Sequence, residues 1–394
     1  MKILVHDYAG HPFQVQLSRE FAKRGYEILH LYSASIQTPQ GNLIKNIEDP
    51  DNFKIKGVKL GEEINKYSFI KRYFQEKKYA KILVKEIEKF KPDVIISSNT
   101  PIHIQKYIVE YSKKNKSKFI FWVQDLYGVA VDKLLRKKFL LPGILIGKYF
   151  KKLEKEVLIN SDKIVLITED FLPIMKTFGI NLQKCTVIHN WAPIDEIPIF
   201  PKNNDWAKKY NFEKSINIIY SGTLGLKHNP ELLLTLAQHF KENKNIKIIV
   251  ISEGPGADFL KERKMKLNLD NLIILPFQPF KDLPKVLASA DILVAILEPD
   301  AGIFSVPSKV LTYHCAGKPI LLAVPEENLS AKIVKEYKTG LTVNPNDIEN
   351  FLKASEKLIY DEKLRITYGK NARDYAEHYF DIKNIANKFE KIIN

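Results

Sequence analysis

Cysteine is almost absent: Cys185 and Cys315 are the only two in 394 residues, far apart and at no metal-ligand spacing. A disulfide scaffold is excluded, and a reducing compartment is the simpler expectation. Long apolar runs are missing as well. The longest, Phe139 to Gly147, has nine residues and is broken by Pro142, short of the ~20 that a spanning helix needs. Near the N-terminus polar His6 and Asp7 follow a three-residue apolar run, so no signal peptide is expected. Neither an H-x-x-H pair nor a carboxylate cluster with metal spacing emerges, and no metal or cofactor is expected. The nicotinamide fingerprint G-x-G-x-x-G is missing after Lys2–His6 and after Ile216–Tyr220, which argues against a dehydrogenase. No repeat with a period of roughly 20–50 residues is evident.

What remains is globular. Hydrophobic residues make up 45% and charged residues 27%, which excludes disorder as an overall description. At ~150 residues per domain the length favours two domains. The charge is less ordinary, 61 Lys+Arg against 46 Asp+Glu, or +15. Such a balance favours an anionic partner, whether nucleic acid, membrane surface or phosphorylated ligand. It does not choose among them.

Order along the chain is more telling. Lys2–His6 reads as a buried strand, Val15, Leu17, Phe21 and Ala22 as a helix ending at Gly25, and Tyr26–Tyr32 as a second strand. That is a βαβ unit. Alternation continues through strands at Asp93–Ser97, Lys118–Val123, Lys163–Thr168 and Thr186–His189. Ile194–Asp205, rich in proline and polar residues, reads as a linker. The pattern then restarts with strands at Ile216–Tyr220, Lys247–Ile251, Leu272–Leu275, Ile292–Ala295 and Ile320–Ala323, and the tail from Asp347 to Asn394 has helical period. The expected division is an N-terminal Rossmann-like domain (1–193), a linker (194–205), a C-terminal Rossmann-like domain (206–378) and a crossover helix (379–394). Ligands of open α/β sheets bind at the carboxyl ends of the strands. Two facing domains of this kind would place such ends on both walls of a cleft.

Two clusters point to an anionic ligand. Ser221-Gly222-Thr223-Leu224-Gly225-Leu226-Lys227 lies between a strand and a helix; its glycines let backbone N–H groups approach an anion, and Lys227 adds a point charge. As turn glycines and a solvated lysine these residues would mean nothing. In the second cluster, Phe304 to Pro319, Pro307 is placed to open a helix with Ser308 and Lys309 in its first turn. A cation there opposes the helix dipole and costs stability unless an anion binds or a carboxylate such as Glu298 or Asp300 pairs with it.

Together these runs resemble a family. The second half is similar to the retaining glycosyltransferases of family 4, which have the GT-B fold. The similarity runs from Ser221–Lys227 through Glu253-Gly254-Pro255-Gly256, Phe277–Pro284 and Ala290–Val294 to Val306–Pro319. The opening Asp7–Arg19 resembles the branch acting in cell-surface polysaccharide synthesis, and the final helix around Phe380–Phe389 the family's tail crossing back onto the first domain. The resemblance implies a nucleotide-diphosphate sugar donor. Gly222, Thr223, Lys227, Ser308 and Lys309 would bind its diphosphate, and the two lysines would neutralise the leaving group without a metal. Glu253, Gly254, Phe277, Gln278, Leu283 and Thr312 would line the base and ribose. Gly10, His11 and Asn99 would face the acceptor, with His11 and Asp125 as candidate groups at the reacting sugar. Thr312 stands where the family has a glutamate, and Gln124 with Asp125 where a histidine is frequent.

Lys66–Lys91 and Leu134–Leu158 interleave lysines with apolar and aromatic residues. They read as amphipathic basic segments suited to an anionic membrane, or as core helices with solvated lysines. The first reading fits a polyprenyl-linked saccharide acceptor and a cytoplasmic protein peripheral on the inner membrane face. No helix-turn-helix, zinc-finger or RNP pattern supports nucleic-acid binding. A nucleotide-sugar epimerase of the same fold, or a non-catalytic basic nucleotide- or nucleic-acid-binding protein, are the alternatives.

Overall fold

Every strand pairing in the computed structural model is parallel, and the strands form two separate sheets. The structure describes residues 1–36, 40–64, 68–138, 140–225, 228–301 and 305–394. Two compact units result, residues 1–190 with 382–394, and residues 191–381.

The first unit runs β1 (Lys2–Asp7), α1 (Pro12–Lys23), β2 (Glu27–Ser33), β3 (Phe53–Val58), α2 (Phe69–Phe90), β4 (Val94–Ser98) and α3 (Ile102–Asn115). It continues with β5 (Lys118–Val123), α4 (Tyr127–Lys138), α5 (Leu140–Asn160), β6 (Lys163–Leu166), α6 (Leu172–Thr177) and β7 (Cys185–Val187). The strand order β3-β2-β1-β4-β5-β6-β7 puts the topological switch point between β1 and β4. Helices on both faces explain why β1, β4 and β5 are almost wholly buried.

The second unit comprises α7 (Asp205–Lys209), β8 (Ile216–Ser221), α8 (Pro230–His239), β9 (Ile246–Ile251), α9 (Pro255–Leu267), β10 (Leu272–Leu275), α10 (Leu283–Ala288) and β11 (Ile292–Ile296). Then come α11 (Lys309–Cys315), β12 (Ile320–Ala323), α12 (Leu329–Glu336), β13 (Gly340–Val343), α13 (Ile348–Tyr360) and α14 (Glu362–Tyr379). Here the order is β10-β9-β8-β11-β12-β13, with the switch point between β8 and β11. Its core gathers Tyr220, Leu233, Val250, Val294 and Phe351.

The last helix, α15 (Ile382–Ile393), belongs to the first unit. Ile385, Phe389, Ile392 and Ile393 are buried, and Phe389 meets Trp122 edge-on at 4.8 Å. Arg24 at the end of α1 fixes the helix, donating to Glu390 at 2.6 Å, Asn387 at 2.7 Å and the Lys383 carbonyl at 2.8 Å.

Several expectations need correction. The segment 194–205 is no free linker: Ile197 is buried, Lys202 pairs with Asp291 at 2.5 Å, and Asn204 caps α7. Its prolines suppress periodicity, while its side chains hold it to the second unit. The tail is three helices, broken at Asp361, which caps α14, and at Phe380–Asp381. Two strands escape the sequence pattern. In β3, buried Phe53 and Val58 bracket lysines. In β13, Gly340 opens the strand because a Cβ there would collide with the Ile320 backbone. The helix expected from Pro307 starts at Lys309, after the tight bonds Val310 N–H to Pro307 O and Leu311 N–H to Ser308 O.

Candidate functional site

The candidate donor residues of the second unit sit beyond the carboxyl ends of β8, β9, β10 and β11. Strands β8 and β11 pair only through Ile218–Ile292 and Ile219–Leu293, then part. Their freed backbone groups find one buried side chain. The Tyr313 hydroxyl of α11 accepts from Ser221 N–H at 3.1 Å and lies 3.2 Å from the Val294 carbonyl. Burial pushes that phenol well above its ordinary value, so it stays a neutral donor and acceptor. The Tyr313 hydroxyl therefore satisfies the Ser221 N–H and the Val294 carbonyl where the strands part.

Lys309 enters this opening. It is the first residue of α11, and its Nζ lies 3.5 Å from the centroid of the buried Tyr220 ring. Gly222 faces it: φ is +127°, and a Cβ there would stand 3.3 Å from Lys309 Cε and 3.6 Å from Nζ. The bare backbone of Gly222 and the ammonium are thus neighbours. Tyr220 also shapes the loop, donating from its hydroxyl to the Thr223 carbonyl at 2.8 Å. His228 accepts the Gly225 N–H at 3.0 Å. Lys227, the other cation expected here, lies outside the described residues.

The remaining expected donor contacts divide. Glu253 accepts the Phe277 N–H at 3.1 Å, joining the loops after β9 and β10, and Gly254 precedes α9 with φ of +96°. Gln278 accepts from the Trp206 indole at 3.1 Å and donates to the Pro276 carbonyl at 2.9 Å, so its amide is engaged inside the unit. Leu283 begins α10. Ser308 is exposed and makes no side-chain cap, whereas the Thr312 hydroxyl donates to the Lys309 carbonyl at 2.8 Å. Where a glutamate would project, this chain has a short side chain bonded back to its own helix. Glu298 and Asp300 follow β11, half-buried and exposed respectively.

In the first unit, Gly10, His11 and Asn99 come together at the β1/β4 switch point, around a residue the sequence reading left unassigned. Asp7, fully buried at the end of β1, accepts from the backbone N–H groups of Ala9, at 3.1 Å, and of His11. With its amide nitrogen turned to Asp7, Gln14 donates to both carboxylate oxygens at 3.0 Å and accepts from Asn99 at 3.0 Å and Ser98 at 2.6 Å. Asn99 adopts φ of +49° and Gly10 of +78°. Burial pushes Asp7 up to about 7, while the donated N–H groups hold it down. A polar pair ending an apolar strand was the available signal. His11 caps α1 through its backbone and stacks on Phe13 at 5.6 Å. Asp125 is exposed in the turn after β5, ahead of α4. Nearby, buried Glu154 of α5 accepts from Gly128 N–H at 3.0 Å and Val129 N–H at 3.3 Å in the first turn of α4. Burial raises it to about 7.

Among the described residues, no group of three or more His, Cys, Asp or Glu side chains could hold a metal ion.

Known proteins share this fold and part of this sequence. Residues 202–375 match the family described as Glycosyl transferases group 1. Two uncharacterized glycosyltransferases of Methanocaldococcus jannaschii are similar. MJ1069 is 25% identical over 294 residues, 69% of this chain and 72% of that one. MJ1059 is 27% identical over 346 residues, 79% and 81% respectively. Among solved structures, sucrose-phosphate synthase from Thermosynechococcus elongatus superposes with a TM-score of 0.76 at 13% identity, covering 100% of this chain and 98% of that one. Anabaena HepE in complex with UDP-glucose does so with 0.72 at 14%, covering 99% and 98%. The chain thus has the GT-B type of fold, and residues 202–375, within its second unit, match the group 1 glycosyltransferase family.

Proposed function

We propose that this protein is a retaining glycosyltransferase that takes a sugar from a nucleotide diphosphate and passes it to a saccharide acceptor, lipid-linked on a polyprenyl diphosphate. Supporting this reading is one observation above all: the Lys309 ammonium stands beside the bare backbone of Gly222 where β8 and β11 part. A diphosphate laid there meets a face without a Cβ at Gly222, whose own N–H is held by the Ile251 carbonyl at 3.0 Å, and a positive charge on the other side. As the bond between the anomeric carbon and the phosphate oxygen breaks, negative charge grows on the diphosphate. Lys309, with Lys227 from the preceding loop, stabilises it, and the charge needs no metal. The solved HepE structures hold UDP and UDP-glucose, which makes a uridine donor the first to try here.

The acceptor side is the Asp7-braced loop of Gly10 and His11 with Asn99; His11 and Asp125 are the polar groups offered to the sugar. Surface-polysaccharide assembly at the inner face of the cytoplasmic membrane is the proposed setting. It is supported by the resemblance of Asp7–Arg19 and by a similar structure, WaaG, described as a glycosyltransferase of lipopolysaccharide biosynthesis.

A thermal-shift panel with UDP, GDP, ADP, CMP and dTDP, on wild type and Lys309→Ala, tests the site. Saturation near 100 times the dissociation constant adds about 2.7 kcal/mol of stability. One nucleotide should shift the wild type and not the variant. Equal shifts in both would remove Lys309 from the diphosphate site, and no shift with any nucleotide would overturn the donor reading.

A further inference from the structure

We infer that the first half of α5, with the adjoining first turns of α2, is a surface that inserts into the headgroup region of an anionic lipid bilayer. Geometry sets it apart from the rest of the unit. The first turn of α4, just past the end of β5, lies against Phe150 and Glu154: a Cβ at Gly128 would stand 2.6 Å from the Phe150 carbonyl. One turn further out, Gly147 packs on Asp132. From Phe150 to Asn160 the helix covers ~15 Å, about the height of the sheet beside it. Residues before Phe150 therefore project beyond the carboxyl edge of the strands.

That projecting half is apolar on its outer side as well as its inner one. Gly147, Phe150 and Leu153 face inward and are buried. Outward, Leu145, Lys148, Tyr149 and Lys152 follow at i, i+3, i+4 and i+7, all exposed, with Leu145 70% and Tyr149 51% accessible. A helix apolar all round normally belongs inside a structure. Here lysines are threaded through the apolar stripe, where their stems lie along hydrocarbon while the ammonium groups reach lipid phosphates. The start of α2 continues the surface. Tyr73 meets Phe150 at 6.5 Å, and beside it Ile70 and Phe74 are exposed at 71% and 64%. The later part of α2 is different, with Tyr79, Leu83 and Ile87 in the core. Among the described residues of the two basic segments, the exposed apolar side chains other than Leu134 of α4 fall in these adjoining parts. No helix among the described residues is long and apolar enough to cross a membrane.

Positive charge interleaved with exposed apolar side chains selects lipid over a second copy of this chain, whose own lysines would be brought face to face. The inference gives the proposed lipid-linked acceptor its location, yet its test needs neither donor nor acceptor. Phosphatidylcholine vesicles with and without phosphatidylglycerol are sedimented with the full-length protein. Wild type should partition to the anionic vesicles, Leu145→Ser/Tyr149→Ser roughly tenfold less or weaker, and Lys148→Gln/Lys152→Gln less only at low salt. Tyr149→Trp should blue-shift its emission on those vesicles. Unchanged circular dichroism keeps the variants interpretable. Equal partition of wild type and the Leu145/Tyr149 variant would overturn the inference. So would no sedimentation, or a concentration-dependent dimer that the same variant abolishes. A positive nucleotide shift with no vesicle binding would leave the donor site standing and remove this surface alone.

Discussion

Single side chains decide the chemistry proposed here, and two of them make sharp predictions. Truncating Lys309 to Ala should lower turnover by about 10²–10³, the loss of roughly 3–4 kcal/mol expected when one group aimed at developing charge is removed. Steady-state rates with the donor that the thermal shift identifies would check it. Asp7 predicts a pH dependence. Its folded value of about 7 lies above the ordinary 3.8, so the folded chain holds this proton more tightly than the unfolded one. Stability from this group is complete at low pH, falls as pH rises from ~4 towards 7, and is flat above. The total is on the order of 4 kcal/mol. Urea unfolding at several pH values, wild type against Asp7→Asn, isolates that slope from the buried histidines. His6 and His30, both lowered to about 3, give the opposite sign below pH 6.5. A difference that does not change across this range would show that Asp7 is ionised throughout.

Among elements, α11 does most for the site, because it delivers both Lys309 and Tyr313. Replacing Tyr313 by Phe strands the Ser221 N–H where the strands part, at a cost of ~1–3 kcal/mol. Nucleotide affinity should fall with it, and titration calorimetry beside urea unfolding would show both losses or refute the link. How legible was this from residues? Lys309 stood out because a cation opening a helix breaks a local rule, and the structure puts that cation against Gly222. Tyr313 gave no such sign. A tyrosine in an apolar helix reads as core, and only the parting of two strands distant in sequence makes its hydroxyl necessary. Most fully buried parallel strands were plain, since their apolar runs need no partner to be recognised. β3 and β13 were not, because an edge strand with lysines and a four-residue strand carry little pattern of their own. Asp7 falls between: its position was visible, but the ring of donors that fixes its role comes from Gln14 and Asn99, on different elements.

For the whole molecule, the two units should melt as separable transitions, and ending the chain at Asp381 should move one of them. Burying Ile385, Phe389, Ile392 and Ile393 is worth roughly 1.5–3 kcal/mol per side chain. Their sum rivals the ~5–15 kcal/mol that holds a whole domain together. Calorimetry of the truncated chain should keep the transition of residues 191–381 and lose or sharply lower the other; two unmoved transitions would show α15 to be dispensable. The same feature governs how the chain is made. Residues 1–190 leave the ribosome early but cannot be covered by α15 until codons 382–393 are read. The intervening 191 residues, Trp191 through Asp381, take ~10–40 s at bacterial and eukaryotic elongation speeds. For that interval the surface around Trp122 awaits its partner, so a chain terminated early carries a permanent chaperone-binding face. Translation through α15 is thereby made a condition of a finished first unit.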